Sequence, residues 1–294
     1  MCRGYNSLEY IYFCLQIVAL ANLHPPVGSP DEMDSFMFQT VGHQIIEYIA
    51  QAMELPLYRE QLSGGSVHTD LNYTGATEGA ARDEIEDLEV LLRKVKEAHP
   101  EVTAVSCGAI LSNYQRSRVE HVCGRLGLTS LCFMWQRDQV QLLQEISNSG
   151  LDAVLVKVAM PGLTAAHLTQ SLSSLAPLLL RLRSQCDVNV CGEGGEYETL
   201  TLDCPLFKRR LEVEEWAKEG DLTGTMVPVA HATPLRVRLV DKTPDQLIQL
   251  QLLPKPAPRE PMSVPEGPCW ADAAIAAHRV TLTNTAAAAT DTPC

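Results

Sequence analysis

The chain has 294 residues, of which 46% are hydrophobic, and carries a net charge of −13 at neutral pH. Its length suits one large domain or two modest ones. The acidic balance argues against a nucleic-acid binder. It also obliges any phosphate site to use local donors, such as helix N-termini and nearby Arg or Lys.

Ten cysteines are scattered without a CxxC pair, which argues against a zinc ribbon or a thioredoxin-like site and suits reduced thiols in the cytoplasm. The N-terminus allows two readings. Arg3, the apolar stretch from Tyr10 to Asn22 and the small residues Ala19-Leu20-Ala21 resemble a secretory leader. Alternatively, Ile17 to Leu23 is a buried strand. A membrane span is not expected, because the run is short and contains Gln16.

In chain order, Ile45, Ile46, Ile49 and Met53 predict a helix over about 33–54, opened by Asp34 or Ser35 as N-cap. Leu55 to Tyr58 reads as a short strand and 61–82 as a loop. The stripe Ile85, Leu88, Leu91, Leu92 and Val95 predicts a helix over 83–98, with acids suited to its first turn. The unbroken apolar run Val102 to Leu111 predicts a parallel strand buried on both faces. A helix follows from Tyr114 to Leu126, stopped by Gly127. Then come a strand over 131–134, a helix over 139–147 and a strand over 153–158. Residues 163–183 read as mainly helical with a break at Pro177, and Val188 to Cys191 as a strand. Strands alternating with helices predict an α/β fold with a largely parallel sheet. From Gly220 prolines recur; Val229 to Val240 reads as one or two strands, and a weakly ordered tail is expected beyond Leu253.

Two stretches carry chemistry. Residues 192–198, Gly-Glu-Gly-Gly-Glu-Tyr-Glu, crowd Glu193, Glu196 and Glu198 among glycines at a strand end. Carboxylates so close repel unless a cation, a donor or a ligand answers them, and strand ends are where α/β proteins place function. In Gly108-Ala-Ile-Leu-Ser-Asn-Tyr-Gln-Arg-Ser-Arg-Val-Glu, Arg116 and Arg118 lie just inside a helix that follows a buried strand. Either they serve an anion site or they form a solvated face paired with Glu120. The acids from Glu78 to Asp87 stabilise a helix start or contact substrate or Mg²⁺. His43 and the pair Met37 and Phe38 read as packing or surface residues. Ser63-Gly-Gly-Ser66 lacks the strand, helix and basic residue that a phosphate loop needs.

These two stretches, together with Val18-Ala-Leu-Ala-Asn-Leu23, Asp34 to His43, Leu131-Cys-Phe-Met-Trp-Gln-Arg137 and Leu202-Asp-Cys-Pro-Leu-Phe207, resemble the diphthine–ammonia ligases. The resemblance runs from about Gln16 to Glu214. It implies an adenine-nucleotide α-hydrolase-like α/β/α sandwich of the N-type ATP pyrophosphatase kind. It implies ATP-dependent amidation of diphthine on translation elongation factor 2, with ammonium, through an acyl-adenylate. Catalytic roles are implied for Glu193, Glu196, Glu198 and Arg116, and nucleotide contacts for Asn22, Gly108, Arg118, Gly194 and Gly195, with Mg²⁺ expected. The implied division is an atypical segment over 1–15, a nucleotide-binding part over 16–135, a substrate-side part over 136–219 and a tail over 220–294. Family members open with a strand, a Ser-Gly-Gly-Lys-Asp-Ser loop and a helix. Here Met1-Cys-Arg-Gly-Tyr-Asn-Ser stands in their place, so the first strand and pyrophosphate loop are expected to be missing. The alternative is therefore a non-catalytic relative that binds nucleotide or elongation factor 2 only.

Overall fold

The computed structural model describes residues 15–29, 35–63, 65–70, 73, 82–220, 228–244, 246 and 278–282. In chain order these form β1 (Leu15–His24), α1 (Ile46–Met53), β2 (Leu57–Gln61), α2 (Glu84–Ala98), β3 (Val102–Ser106), α3 (Asn113–Leu126) and β4 (Thr129–Leu131). There follow α4 (Gln139–Asn148), β5 (Asp152–Val158), α5 (Leu172–Cys186), β6 (Tyr197–Asp203), β7 (Arg209–Gly220), β8 (Ala230–Asp241) and β9 (His278–Leu282). The expectations about residues 1–14, Asp34, Glu78 and most of the tail lie outside the described residues.

The first sheet has the order β2-β1-β9-β3-β4, and every pairing is parallel. This is the expected α/β class. Ala19, Ala21 and Leu23 of β1 face α2 and α3, whose Leu88, Leu91, Leu92, Val95, Val119 and Val122 close a core over them. Leu20 of β1 faces the other way, toward α1 and the second sheet. Side chains alternate across a strand, so a sheet covered on both sides needs apolar residues at nearly every position. The stretch Ala19–Ala21 is accordingly a buried strand.

The second sheet, β6-β5-β8-β7, is antiparallel throughout, which the alternation of strands and helices did not predict. Val154 and Val156 of β5 face the parallel sheet, while Leu155 and Val158 face α4 and α5. The far layer of the expected sandwich is therefore partly a sheet, with its own helices behind it.

Several elements differ from expectation for local reasons. The helix over 33–54 is confined to α1 and a 3-10 turn at His43–Ile45. Gly42 sits at φ +79°, and a Cβ there would lie 2.5 Å from Leu200 Cδ1. Helix Pro177 does not break α5, which runs on to Cys186 over the buried stripe Leu172, Leu175, Leu179 and Leu182. The helical reading instead fails earlier, where Thr169 adopts φ +69° between a 3-10 turn at Ala165–His167 and α5. The 131–134 strand is β4 alone, since Trp135 N–H already turns back to the Cys132 carbonyl. Val188–Cys191 is not a strand: the Asn189 N–H goes to the Glu196 carboxylate and the Gly192 N–H to the Asn189 carbonyl, so no ladder forms.

The C-terminal region holds the largest difference. Residues 278–282, expected within a weakly ordered tail, form the middle strand of the parallel sheet. They pair with β1 on one side and with β3 on the other. Among the described residues, nothing else joins the pair β2-β1 to the pair β3-β4 within that sheet. The backbone amides of His278–Leu282 should therefore exchange slowly with deuterium, far more slowly than those of a solvated segment. Peptide-level exchange on the full chain checks this; exchange as fast as an unstructured peptide would contradict it.

Candidate functional site

Both chemistry-bearing stretches meet at the C-terminal ends of the parallel strands, where open α/β sheets bind ligands. β3 ends at Ser106, and residues 107–112 leave the sheet as a loop before Ser112 caps α3 by accepting from the Gln115 N–H at 3.2 Å. This explains why the apolar run to Leu111 is only half strand. Three successive amides of the loop, Ile110, Leu111 and Ser112, donate to one oxygen, Oε1 of Glu193, at 3.1, 2.7 and 2.8 Å. Backbone N–H groups converging in this way make an anion-binding concavity. Here the anion is the protein's own carboxylate, 6% exposed.

The acidic loop is folded by its carboxylates. Glu196 accepts from the Asn189 N–H at 2.8 Å and the Gly194 N–H at 2.7 Å. Gly194 has no room for a side chain: a Cβ would sit 2.8 Å from both Asn189 Nδ2 and Glu196 Oε1. Gly195 turns the chain at φ +78°. Glu198 lies opposite Lys157 of β5 in register and takes its ammonium at 3.1 Å. Gln139, at the start of α4, holds the entry to this loop by donating to Asn189 Oδ1 at 2.7 Å and accepting from the Cys191 N–H at 3.2 Å. Burial, with the nearby charge of Glu196, raises the Glu193 carboxyl above its ordinary range despite its three amide donors.

Arg116 lies one turn beyond Ser112. Its Nε donates to Glu120 at 2.7 Å, and its guanidinium stacks 4.5 Å above the Trp135 ring. Trp135 belongs to the turn after β4, which is tied back by Gln136 N–H donating to the Ile110 carbonyl at 2.7 Å. The Glu193 loop, the 107–112 loop and Arg116 therefore share one rim. Arg118 turns elsewhere. It is fully buried, with its guanidinium 3.3 Å from the Tyr114 ring centroid, and it donates to the carbonyls of Tyr114, His68 and Asp70. Arg118 thus anchors the 68–70 segment; Arg116 alone of the two presents a partly solvated cation. Asn22 is buried in β1, where its Oδ1 accepts from Arg59 Nε at 2.9 Å. Gly108 is half-buried in the loop after β3.

The acids at the start of α2 are also engaged. Asp83 accepts from the Ile85 and His68 amides, Glu84 from the hydroxyls of Ser35 and Ser66, and Asp87 from Ser63. They pin the loops beside them. Among the described residues, no group of three or more His, Cys, Asp or Glu gathers as a metal site, and no helix is long and apolar enough to cross a membrane. Sequence reasoning missed the amides of 110–112, which carry no side-chain signal. It also missed Gln139 and Lys157, and it quoted Trp135 within a motif without assigning it a role.

A parallel α/β sheet whose strand-end loops converge on one rim defines the class as an α/β protein consistent with an adenine-nucleotide α-hydrolase-like fold. The diphthamide synthase N-terminal domain model matches residues 24–130 and the diphthamide synthase C-terminal domain model residues 138–234. The chain belongs to the diphthamide synthase family. It is 50% identical over 242 residues to a diphthine–ammonia ligase of Bos taurus, covering 81% of this chain and 88% of that protein. The Homo sapiens diphthine–ammonia ligase is 49% identical over the same shares. The Schizosaccharomyces pombe protein of that name is 51% identical over 207 residues, which is 70% of this chain but only 33% of that longer protein.

Glu193→Ala leaves three amides without their acceptor and should cost about 3 kcal/mol, read from urea unfolding. The raised carboxyl also sets a sign. Folding is helped by Glu193 below the ordinary carboxylate range, and that help is lost as pH rises through the raised value. Glu193→Gln lacks this loss, so its stability relative to the parent should improve as pH rises above the ordinary carboxylate range, as compared by urea midpoints. Arg118→Met strands the carbonyls of His68 and Asp70 and should cost about 3 kcal/mol, whereas Arg116→Met should cost less than about 1 kcal/mol.

Proposed function

We propose that this chain is an ATP-dependent ligase that amidates the carboxyl group of diphthine on translation elongation factor 2, with ammonium as nitrogen donor, in the cytoplasm. ATP is a co-substrate. The carboxylate attacks the α-phosphorus and expels pyrophosphate; ammonia then attacks the acyl carbon, expels AMP and releases a proton. Such activation is needed because a carboxylate is a poor acyl donor. Most of the catalysis is positioning and relief of phosphate charge. The observation that carries the reading is the family-wide match, with half of the residues identical to diphthine–ammonia ligases over most of both chains.

The residues present define what this chain supplies. Arg116 offers a cation at the rim, oriented by Glu120 and Trp135. Glu193 fixes the loop that leads into it, and Glu196 and Gln139 fix the acidic loop. Lys157 neutralises Glu198. Glu193, Glu196 and Glu198 each accept from protein donors, and among the described residues no three His, Cys, Asp or Glu gather as a metal site, so the residues do not fit a protein-built Mg²⁺ cage. Mg²⁺ commonly relies on substrate phosphates and few protein ligands.

The test is turnover on diphthine-bearing elongation factor 2. One AMP and one pyrophosphate should be released for each amide formed, and Arg116→Ala should lower kcat/KM about 10²-fold while leaving the unfolding midpoint nearly unchanged. Binding of nucleotide or of elongation factor 2 without turnover would instead favour the non-catalytic alternative.

A further inference from the structure

A pair of thiols lies directly beneath the rim. β3 and β4 pair in parallel with Ser106 opposite Leu131, and the ladder extends one step further through the Cys107 N–H, which donates to the Leu131 carbonyl at 3.0 Å. Cys107 and Cys132 are therefore the next residues across from one another on adjacent strands. Neighbouring strands run about 4.8 Å apart, within the Cα separation a disulfide spans, about 4.4–6.8 Å. Both side chains point to the same side of the sheet, into the core closed by α2 and α3, and the two thiols hydrogen-bond to each other.

We propose that Cys107 and Cys132 form a reversible disulfide under hydroperoxide, making this pair an oxidation site that locks the floor of the rim. Cys132 is the attacking thiol. It accepts the hydrogen bond from Cys107, lies 3.3 Å from the Ser130 hydroxyl, and has Arg116 nearby. These donors hold its pKa below the usual thiol value, against burial and the charge of Glu120, while Cys107 is raised well above it. A depressed thiol beside a cation is the reactive kind. Its sulfur attacks the peroxide oxygen, breaking the O–O bond to give a sulfenic acid and one water. The Cys107 sulfur then attacks that sulfenic sulfur, forming the S–S bond and expelling a second water. Two thiols are oxidised and one peroxide is reduced. The link would join the chain just before the Glu193-held loop to the chain just before Trp135, which supports Arg116. Cys123, on α3 in the same core, is the nearest competitor. Burial pushes its thiol up to about 12, which disfavours it as the attacking group.

The experiment treats the native full chain with hydrogen peroxide, alkylates remaining thiols after unfolding and maps peptides without reduction. The expected result is a Cys107–Cys132 cross-link that dithiothreitol reverses, with Cys123 and Cys191 still alkylated. In Cys107→Ser, dimedone should trap a sulfenic acid at Cys132; Cys107→Ala gives the same readout if the serine variant folds poorly. Recovery of both Cys107 and Cys132 as thiols, with oxidation confined to the exposed Cys186, would overturn the proposal. So would a link from Cys132 to Cys123, or a 107–132 link that forms only in urea. These readouts are covalent and do not depend on ligase activity.

Discussion

The grip of one carboxylate oxygen on three consecutive amides holds the two halves of the molecule's working edge together. Glu193 belongs to the loop that leads into the antiparallel sheet; Ile110, Leu111 and Ser112 belong to the loop that leaves the parallel sheet. An ionised acceptor makes stronger bonds than a neutral one, and burial removes competition from water. The same burial makes the charge costly, which is why the carboxyl is raised. The arrangement therefore trades electrostatic strain for geometric definition. It places Arg116 and Trp135 next to the acidic loop, although more than fifty residues separate them in sequence.

The parallel sheet shows a similar economy. Its first four strands come from the first half of the chain, yet among the described residues they form two pairs that meet only through β9. Ligands of doubly wound sheets bind where the strand order reverses, and that reversal falls at β9, between β1 and β3. β9 is distant in sequence from its neighbours β1 and β3, but the entropic cost of bringing distant segments together grows only slowly with their separation. The hydrophobic cores on either face of the sheet do not depend on sequence adjacency either: helices α2 and α3 cover one side, and α1 with β5 and β6 covers the other.

Much of the first half was legible in the sequence. The stripe of α2, the stop of α3 at Gly127, and the buried run of β3 follow from periodicity and local chemistry. The acidic glycine loop was legible as a special site because its composition suits neither core nor ordinary turn. What it does locally was not legible, since its partners are backbone amides and a lysine on another strand. Val188–Cys191 misled for a related reason: the residues are apolar and Val190 and Cys191 are buried, but the amide that would have built a ladder is claimed by Glu196. Arg116 and Arg118 look equivalent in sequence, and tertiary packing separates them, one onto Trp135 and the other into a cage of Tyr73 and Tyr114 rings. The antiparallel order of β5 to β8 and the insertion of β9 depend on long-range pairing that no local pattern encodes.

The most direct measurement is the exchange and chemical shift of the Ile110, Leu111 and Ser112 amide protons by NMR, in the parent and in Glu193→Ala. The account predicts protected, downfield amides in the parent whose shifts follow the titration of one buried carboxyl, and loss of both features in the variant while the amides of α2 remain protected. Unchanged shifts and exchange at these three amides after removal of the carboxylate would contradict it.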